Sequence, residues 1–217
     1  MAAMEDVLEV YSRPYDPQKP VICMDEMHKQ CIEEVRKPIP ASSGCPERYD
    51  SEYIRNGGIN IFLASEPLKG RRVISITDRR TKLDWAYFIK DLVDYQYPEV
   101  DTIVLVMDNL NTHNPGSLYE AFEPEEARRL IDKLEIHHTP KHGSWLNVAE
   151  IELSVLSRQC LNRRIPDKET YEQEIEKWNT DRNNQQIGVE WHFTTKEARN
   201  KLKRLYPKII TKAKSSQ

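Results

Sequence analysis

Two short apolar runs constrain the fold of this chain more than any other feature. Val21-Ile22-Cys23-Met24 is closed by Asp25, and Thr102-Ile103-Val104-Leu105-Val106-Met107 is closed by Asp108. Runs so short and so continuously apolar do not suit an amphipathic helix, and their β-branched content points to strands covered on both faces. Sheets built of such strands carry helices on either side. Each carboxylate is then expected at its strand's end, outside which ligands of α/β sheets gather. A pair of acids there suits a hard cation such as Mg2+, which takes oxygen ligands and keeps several waters.

A third acid, Glu150, lies in Ser144-Trp145-Leu146-Asn147-Val148-Ala149-Glu150, with Glu152 two residues on. Helical phase separates them. At about 100° per residue, Glu150 shares an arc with Asn147, Ser154, Ser157 and Arg158, whereas Glu152 points about 160° away, beside Gln159. Val148, Ile151 and Val155 form one apolar stripe, and Ala149, Leu153, Leu156 and Cys160 another. Glu150 falls on the polar strip between them, where a carboxylate reaches along a helix toward the two aspartates. Any one of these acids alone reads as a solvated or capping carboxylate; the constellation of three reads as a divalent-metal site.

The stretches VICMDE, VLVMDNLNTHN and HHTPKHGSWLNVAEIELSVLSRQCLNRRI resemble the catalytic domain of transposases of the insertion sequence 630 and mariner superfamily. PIPASSGCPERYDSEYIRNGGINIFLASEPLKG is similar to the segment after the first catalytic strand there, and WHFTTKEARNKLKRLYP to the closing helix of the bacterial branch. The likeness covers most of residues 20 to 207, and Thr139 to Glu150 is its most specific part. It implies a ribonuclease H-like fold, a mixed sheet flanked by helices. Asp25, Asp108 and Glu150 would be its catalytic triad, holding two Mg2+ ions with Mn2+ as a substitute, while Asn109 and His113 fall just after the second aspartate. The resemblance also implies cleavage at transposon ends, strand transfer into target DNA and a homodimer in the active complex. Two departures bear on the subgroup: the Asp108 to Glu150 spacing exceeds that of the mariner branch, and Val148 stands where that branch often has proline.

Members of that superfamily carry helix-turn-helix modules ahead of the catalytic domain, and only 20 residues precede the first catalytic strand here. The expectation is a single catalytic domain over residues 1–217, with 1–19 as an N-terminal extension, 207–217 as a basic tail and no helix-turn-helix domain. A separate helix-turn-helix polypeptide would then read the transposon ends, and this chain alone would show little preference among sequences.

With 38% hydrophobic and 31% charged residues, the chain is long enough for one sizeable core. No run approaches the roughly 18 apolar residues of a membrane span, and Met-Ala-Ala-Met-Glu-Asp lacks the regions of a signal peptide. These features suggest a cytoplasmic protein, and the resemblance a bacterial one, nucleoid-associated when bound to DNA. Cys23, Cys31, Cys45 and Cys160 show no Cys-x-x-Cys spacing and read as reduced thiols, with Cys23 and Cys160 expected in the core. The net charge of -3 divides unevenly. Residues 151–217 hold 14 Lys+Arg against 9 Asp+Glu, leaving 18 against 26 in residues 1–150. The basic part ends in Lys196, Arg199, Lys201, Lys203, Arg204, Lys208, Lys212 and Lys214, a face that suits DNA phosphates or simple solvation.

Periodicity and breakers place the other elements. Residues 36–58, rich in proline, glycine and polar residues, read as a long loop. Strands are expected at 59–64 and 72–77 around a turn at Pro67 to Gly70, and again at 135–139. Helices are expected at 83–95, from Pro124, and at about 147–161, 167–182 and 194–205. In His137-His138-Thr139-Pro140-Lys141-His142-Gly143-Ser144-Trp145 the histidines lack the partners and spacing of a zinc site. Gly143 and Ser144 suggest a turn and N-cap before the Glu150 helix, and Lys141 and His142 could meet phosphate. Trp145 fits either a buried anchor or a base-stacking platform. Asn109, Asn111 and His113 suit either partners behind the metal ligands or turn chemistry. Two other functions compete: another ribonuclease H-like nuclease, and an inactive or domesticated DNA-binding fragment.

Overall fold

The apolar runs pair as the central strands of one sheet. In the computed structural model, which describes residues 1–141 and 143–207, β1 (Val21–Glu34), β2 (Tyr53–Glu66), β3 (Arg71–Thr77), β4 (Ile103–Met107) and β5 (Leu134–His138) form a sheet of order β3-β2-β1-β4-β5. β1, β2 and β3 form an antiparallel meander, and β4 and β5 run parallel to β1. The α/β mixed sheet expected from the sequence is therefore present.

Helices cover both faces, and strand alternation assigns each side chain to one of them. Cys23, Ile61, Leu63, Val104 and Val106 pack toward α1 (Ala2–Tyr11), α5 (Val148–Gln159), α6 (Lys168–Asn184) and α7 (Thr195–Lys201). Ile22, Met24, Phe62, Leu105 and Met107 pack toward α2 (Lys82–Asp91), α3 (Gly116–Ala121) and α4 (Pro124–Asp132). Local chemistry sets the helix starts: a Thr81/Asp84 capping box opens α2, Pro124 with Glu125 and Glu126 opens α4, and Asp167 caps α6 through the Thr170 N–H. The helical run expected over 83–95 divides into α2 and a wider π turn at Leu92–Gln96. The last helix likewise ends at Lys201, followed by a 3-10 turn at Lys203–Leu205.

Three sequence expectations change. Asp25 lies within a strand and not at its end, because β1 continues to Glu34 along β2 after its ladder with β4 has stopped at Cys23. Residues 53–58 belong to β2, so the irregular stretch after β1 is shorter than expected. Gly57 and Gly58 had suggested a loop, but a Cβ on Gly58 would stand 2.6 Å from the His28 ring, so glycine there permits close strand packing. The N-terminal stretch does more than extend the chain. Met4, Val7, Leu8 and Val10 of α1 are buried, at roughly 1.5–3 kcal/mol for each large side chain. Arg199 and Tyr206 both donate to Glu5, tying the end of the described chain to α1 and holding the Glu5 carboxyl down at about 2.

Candidate active site

Continuing the β1–β4 register by two residues brings Asp25 level with Asp108 just where the strands part. By alternation both belong to the α5 face, since Asp25 follows Cys23 and Asp108 follows Val104 and Val106 at intervals of two. Glu150 stands in the first turn of α5. Asp108 and Glu150 line one cavity of ≈ 470 Å³, together with Lys141, Ser144 and Thr139. Asp25 is 9% exposed, and burial lifts its carboxyl to about 7; the Glu26 N–H pulls the other way, and the charges of Asp108, Glu26 and Glu150 add to the rise. Asp108 and Glu150 thus share the cavity, and Asp25 lies buried close enough to feel the charge of both. Among the described residues, however, no three His, Cys, Asp or Glu side chains already close on a single point as a ligand cluster.

The sheet's opposite face carries a second device. Glu26, adjacent to Asp25, faces α2, where His113 stacks on the buried Trp85 ring at 6.0 Å. Asp108 Oδ1 lies 2.6 Å from His113 Nδ1, and Glu26 Oε2 lies 2.9 Å from His113 Nε2 without meeting hydrogen-bond geometry. Burial of the imidazole disfavours its charge, but the two flanking carboxylates outweigh burial and lift its pKa to about 9. His113 Nδ1 therefore holds one oxygen of Asp108. The sequence had marked His113 but gave no sign of Glu26.

α5 begins at Val148, close to the expected start near 147, but its cap differs from the expected one. Ser144–Leu146 forms a 3-10 turn, and Asn147, not Ser144, caps the helix by accepting the Ala149 N–H at 3.1 Å. The same side chain donates to Met24 O at 2.9 Å and Asp25 Oδ2 at 3.3 Å. The stripe of Ala149, Leu153 and Leu156 is buried as expected, but Ile151 is 40% exposed. Its place in the interior goes to Glu152, which meets Arg72 at 2.5 Å and Arg182 at 3.2 Å. Glu152 is thus committed to the core while Glu150 opens onto the cavity.

The remaining candidates are dispersed. Lys141 is exposed at the cavity rim, and His142 lies outside the described residues. Trp145 is 46% exposed while packing against Trp191 at 6.3 Å and Phe193 at 5.7 Å, so it is part anchor and part open ring. Arg199 is engaged by Glu5, while Lys203 and Arg204 are exposed; Lys208, Lys212 and Lys214 lie outside the described residues. His137 and His138, consecutive on β5, point apart: His137 to Asp6 and Glu135, His138 to the Asp108 carbonyl. Cys23 is buried and Cys160 only partly so.

A mixed five-stranded sheet with acids gathered where β1 and β4 diverge, and a helix bringing a third, defines the ribonuclease H-like fold. Solved structures share it. The Mos1 transposase paired-end complex with left transposon end is 12% identical at a TM-score of 0.57, over 86% of this chain and 56% of that one. The Mos1 strand transfer complex is 12% identical at 0.58, over 86% and 55%. The Mos1 mariner paired end complex with Mn is 13% identical at 0.56, over 86% and 56%. This chain thus spans little more than half the length of those proteins. No curated protein matches it. The family model for DDE superfamily endonucleases matches residues 20–172, and the chain belongs to that family.

Proposed function

We propose that this chain is the catalytic part of a transposase, cutting DNA phosphodiester bonds at transposon ends and joining the freed 3′ ends to target DNA. The observation that carries this reading is the level placement of Asp25 and Asp108 on the face where α5 presents Glu150. The donor set fits a divalent metal. It consists of carboxylate oxygens without thiolates, and burial already disfavours charge on Asp25 beside two further acids, a cost that a cation relieves. Asp25, Asp108 and Glu150 would hold Mg2+ or Mn2+, two ions by analogy with two-metal nucleases, and the metal would supply Lewis acidity toward the attacking water and the leaving oxygen.

The chain's own groups fix the rest. His113 pins Asp108 from behind and Asn147 holds Asp25. Lys141 at the cavity rim would meet a phosphate oxygen, with His142 beside it in sequence. Trp145 presents an open ring that a base could stack on. Lys203 and Arg204, and Arg199 where Glu5 releases it, would follow the DNA backbone. DNA is accordingly the proposed partner, with a homodimer in the active complex and end recognition by a helix-turn-helix polypeptide. In the proposed bacterial setting it would act in the cytoplasm, at the nucleoid. Among the described residues no helix is long and apolar enough to cross a membrane.

Two measurements test the reading. Mn2+ at a hundred times its dissociation constant should stabilise the wild type by about 2.7 kcal/mol in thermal unfolding, and Asp108→Asn should lose most of that gain. An unchanged melting temperature in the wild type would count against the metal site. For DNA, Lys203→Gln with Arg204→Gln should lower the slope of log affinity against log salt by roughly one unit per lost phosphate contact, for any duplex sequence. An identical slope would make this face merely solvated.

A further inference from the structure

An asparagine side chain offers an acceptor and a two-proton donor at opposite corners of one plane. Asn147, fully buried, uses the two ends in different elements. Its Oδ1 accepts the Ala149 N–H and caps α5, and its own carbonyl accepts the Glu150 N–H at 3.1 Å. Its Nδ2 reaches across to Met24 O and Asp25 Oδ2 on β1.

The destination of that donor follows from the sheet. Carbonyls two residues apart on a strand face the same edge, and Pro20 O takes the Val104 N–H, so Met24 O also faces β4. The β1–β4 ladder has ended by then. A buried carbonyl without a partner costs about 1–3 kcal/mol, and Asn147 supplies the N–H that β4 no longer does. Capping alone does not require an amide, because serine or aspartate caps a helix as well as asparagine. The two-proton amide, which reaches Met24 O and Asp25 Oδ2 at once, is what serine and aspartate lack.

We propose that Asn147 is a positioning residue that sets the distance between Asp25 and Glu150, and so the affinity of the site for a divalent cation. The inference rests on reading Asp25, Asp108 and Glu150 as metal ligands. Asn147 itself is no ligand: it bonds one carboxylate directly and carries the other three residues along the helix it caps.

The test compares Mn2+ binding, read as free Mn2+ by electron paramagnetic resonance, in wild type, Asn147→Ser, Asn147→Asp and Glu150→Gln, with thermal unfolding in EDTA as the measure of folding. Both Asn147 variants keep a capping oxygen and lose the amide donors. Asn147→Ser is expected to unfold cooperatively in EDTA yet bind Mn2+ about 10–100-fold more weakly, as for partners behind metal ligands. Should the serine variant fail to fold, Asn147→Asp decides between the outcomes, since its added charge by itself attracts a cation and weaker binding there also supports the proposal. Binding within a factor of about three of wild type, below the range such partners command, would overturn it. If wild type and Glu150→Gln bind Mn2+ alike, the metal site itself fails and the inference with it. If those two differ while the Asn147 variants match wild type, only the role of Asn147 falls.

Discussion

Glu150→Gln is expected to lower Mn2+-dependent nicking of duplex DNA by more than about a hundredfold, because losing a mere partner of a ligand already costs about 10–100-fold. The substitution is nearly isosteric and Glu150 opens onto the cavity, so the fold should survive it. Asp25→Asn and Asp108→Asn should behave alike, whereas Glu125→Gln, exposed in the first turn of α4, should cut DNA as the wild type does. Supercoiled plasmid relaxation measures the effect. Undiminished nicking by Glu150→Gln would remove it from the reaction.

The second large effect concerns folding. Arg72 and Glu152 side chains are 1% and 2% exposed, and Arg72 also spends its other guanidinium nitrogens on the carbonyls of Gly70 and Ile187. Removing one partner strands a charge in the interior, so Glu152→Ala should lose about 3–5 kcal/mol in urea unfolding, a large share of a typical domain's total of roughly 5–15 kcal/mol. The loss should be severe because it leaves two arginines, Arg72 and Arg182, facing the vacated site. Replacing Arg72 and Glu152 together by Met and Leu should cost less than Glu152→Ala alone. Equal losses in the single and double variants would show that packing, and not the stranded charge, decides stability here.

Much of this was legible because two continuous apolar runs end at acids, and continuity of apolar residues is a local signal. Helical phase likewise turned Glu152 away from Glu150 correctly. What it could not give was the identity of what Glu152 meets, since Arg72 lies 80 residues earlier in the chain. The same limit hid Glu26, whose partner His113 becomes a neighbour only once the sheet forms, and the donor role of Asn147, which depends on where two strands part. The continuation of β1 past Asp25 was missed for a related reason: its outer half alternates polar residues and pairs only with β2, so nothing in it reads as a covered strand. Ile151 was assigned to the interior by stripe alone, but the interior at that turn of α5 is claimed by an ion pair whose other members come from β3 and α6.

The parallel pairing of β1 with β4 joins segments some 80 residues apart, with the β2–β3 meander and α2 between them. Closure over such a span is entropically late, and folds dominated by distant pairings form slowly. Asp25 therefore emerges from the ribosome long before Asp108, and Glu150 follows later still. At a synthesis rate of roughly 5–20 residues per second, the growing chain spends several seconds with an incomplete set of acids. On the proposed reading, a centre divided among three remote stretches would stay inert while the chain is being made, and would be able to cut only after β4 has docked and α5 has been capped onto β1.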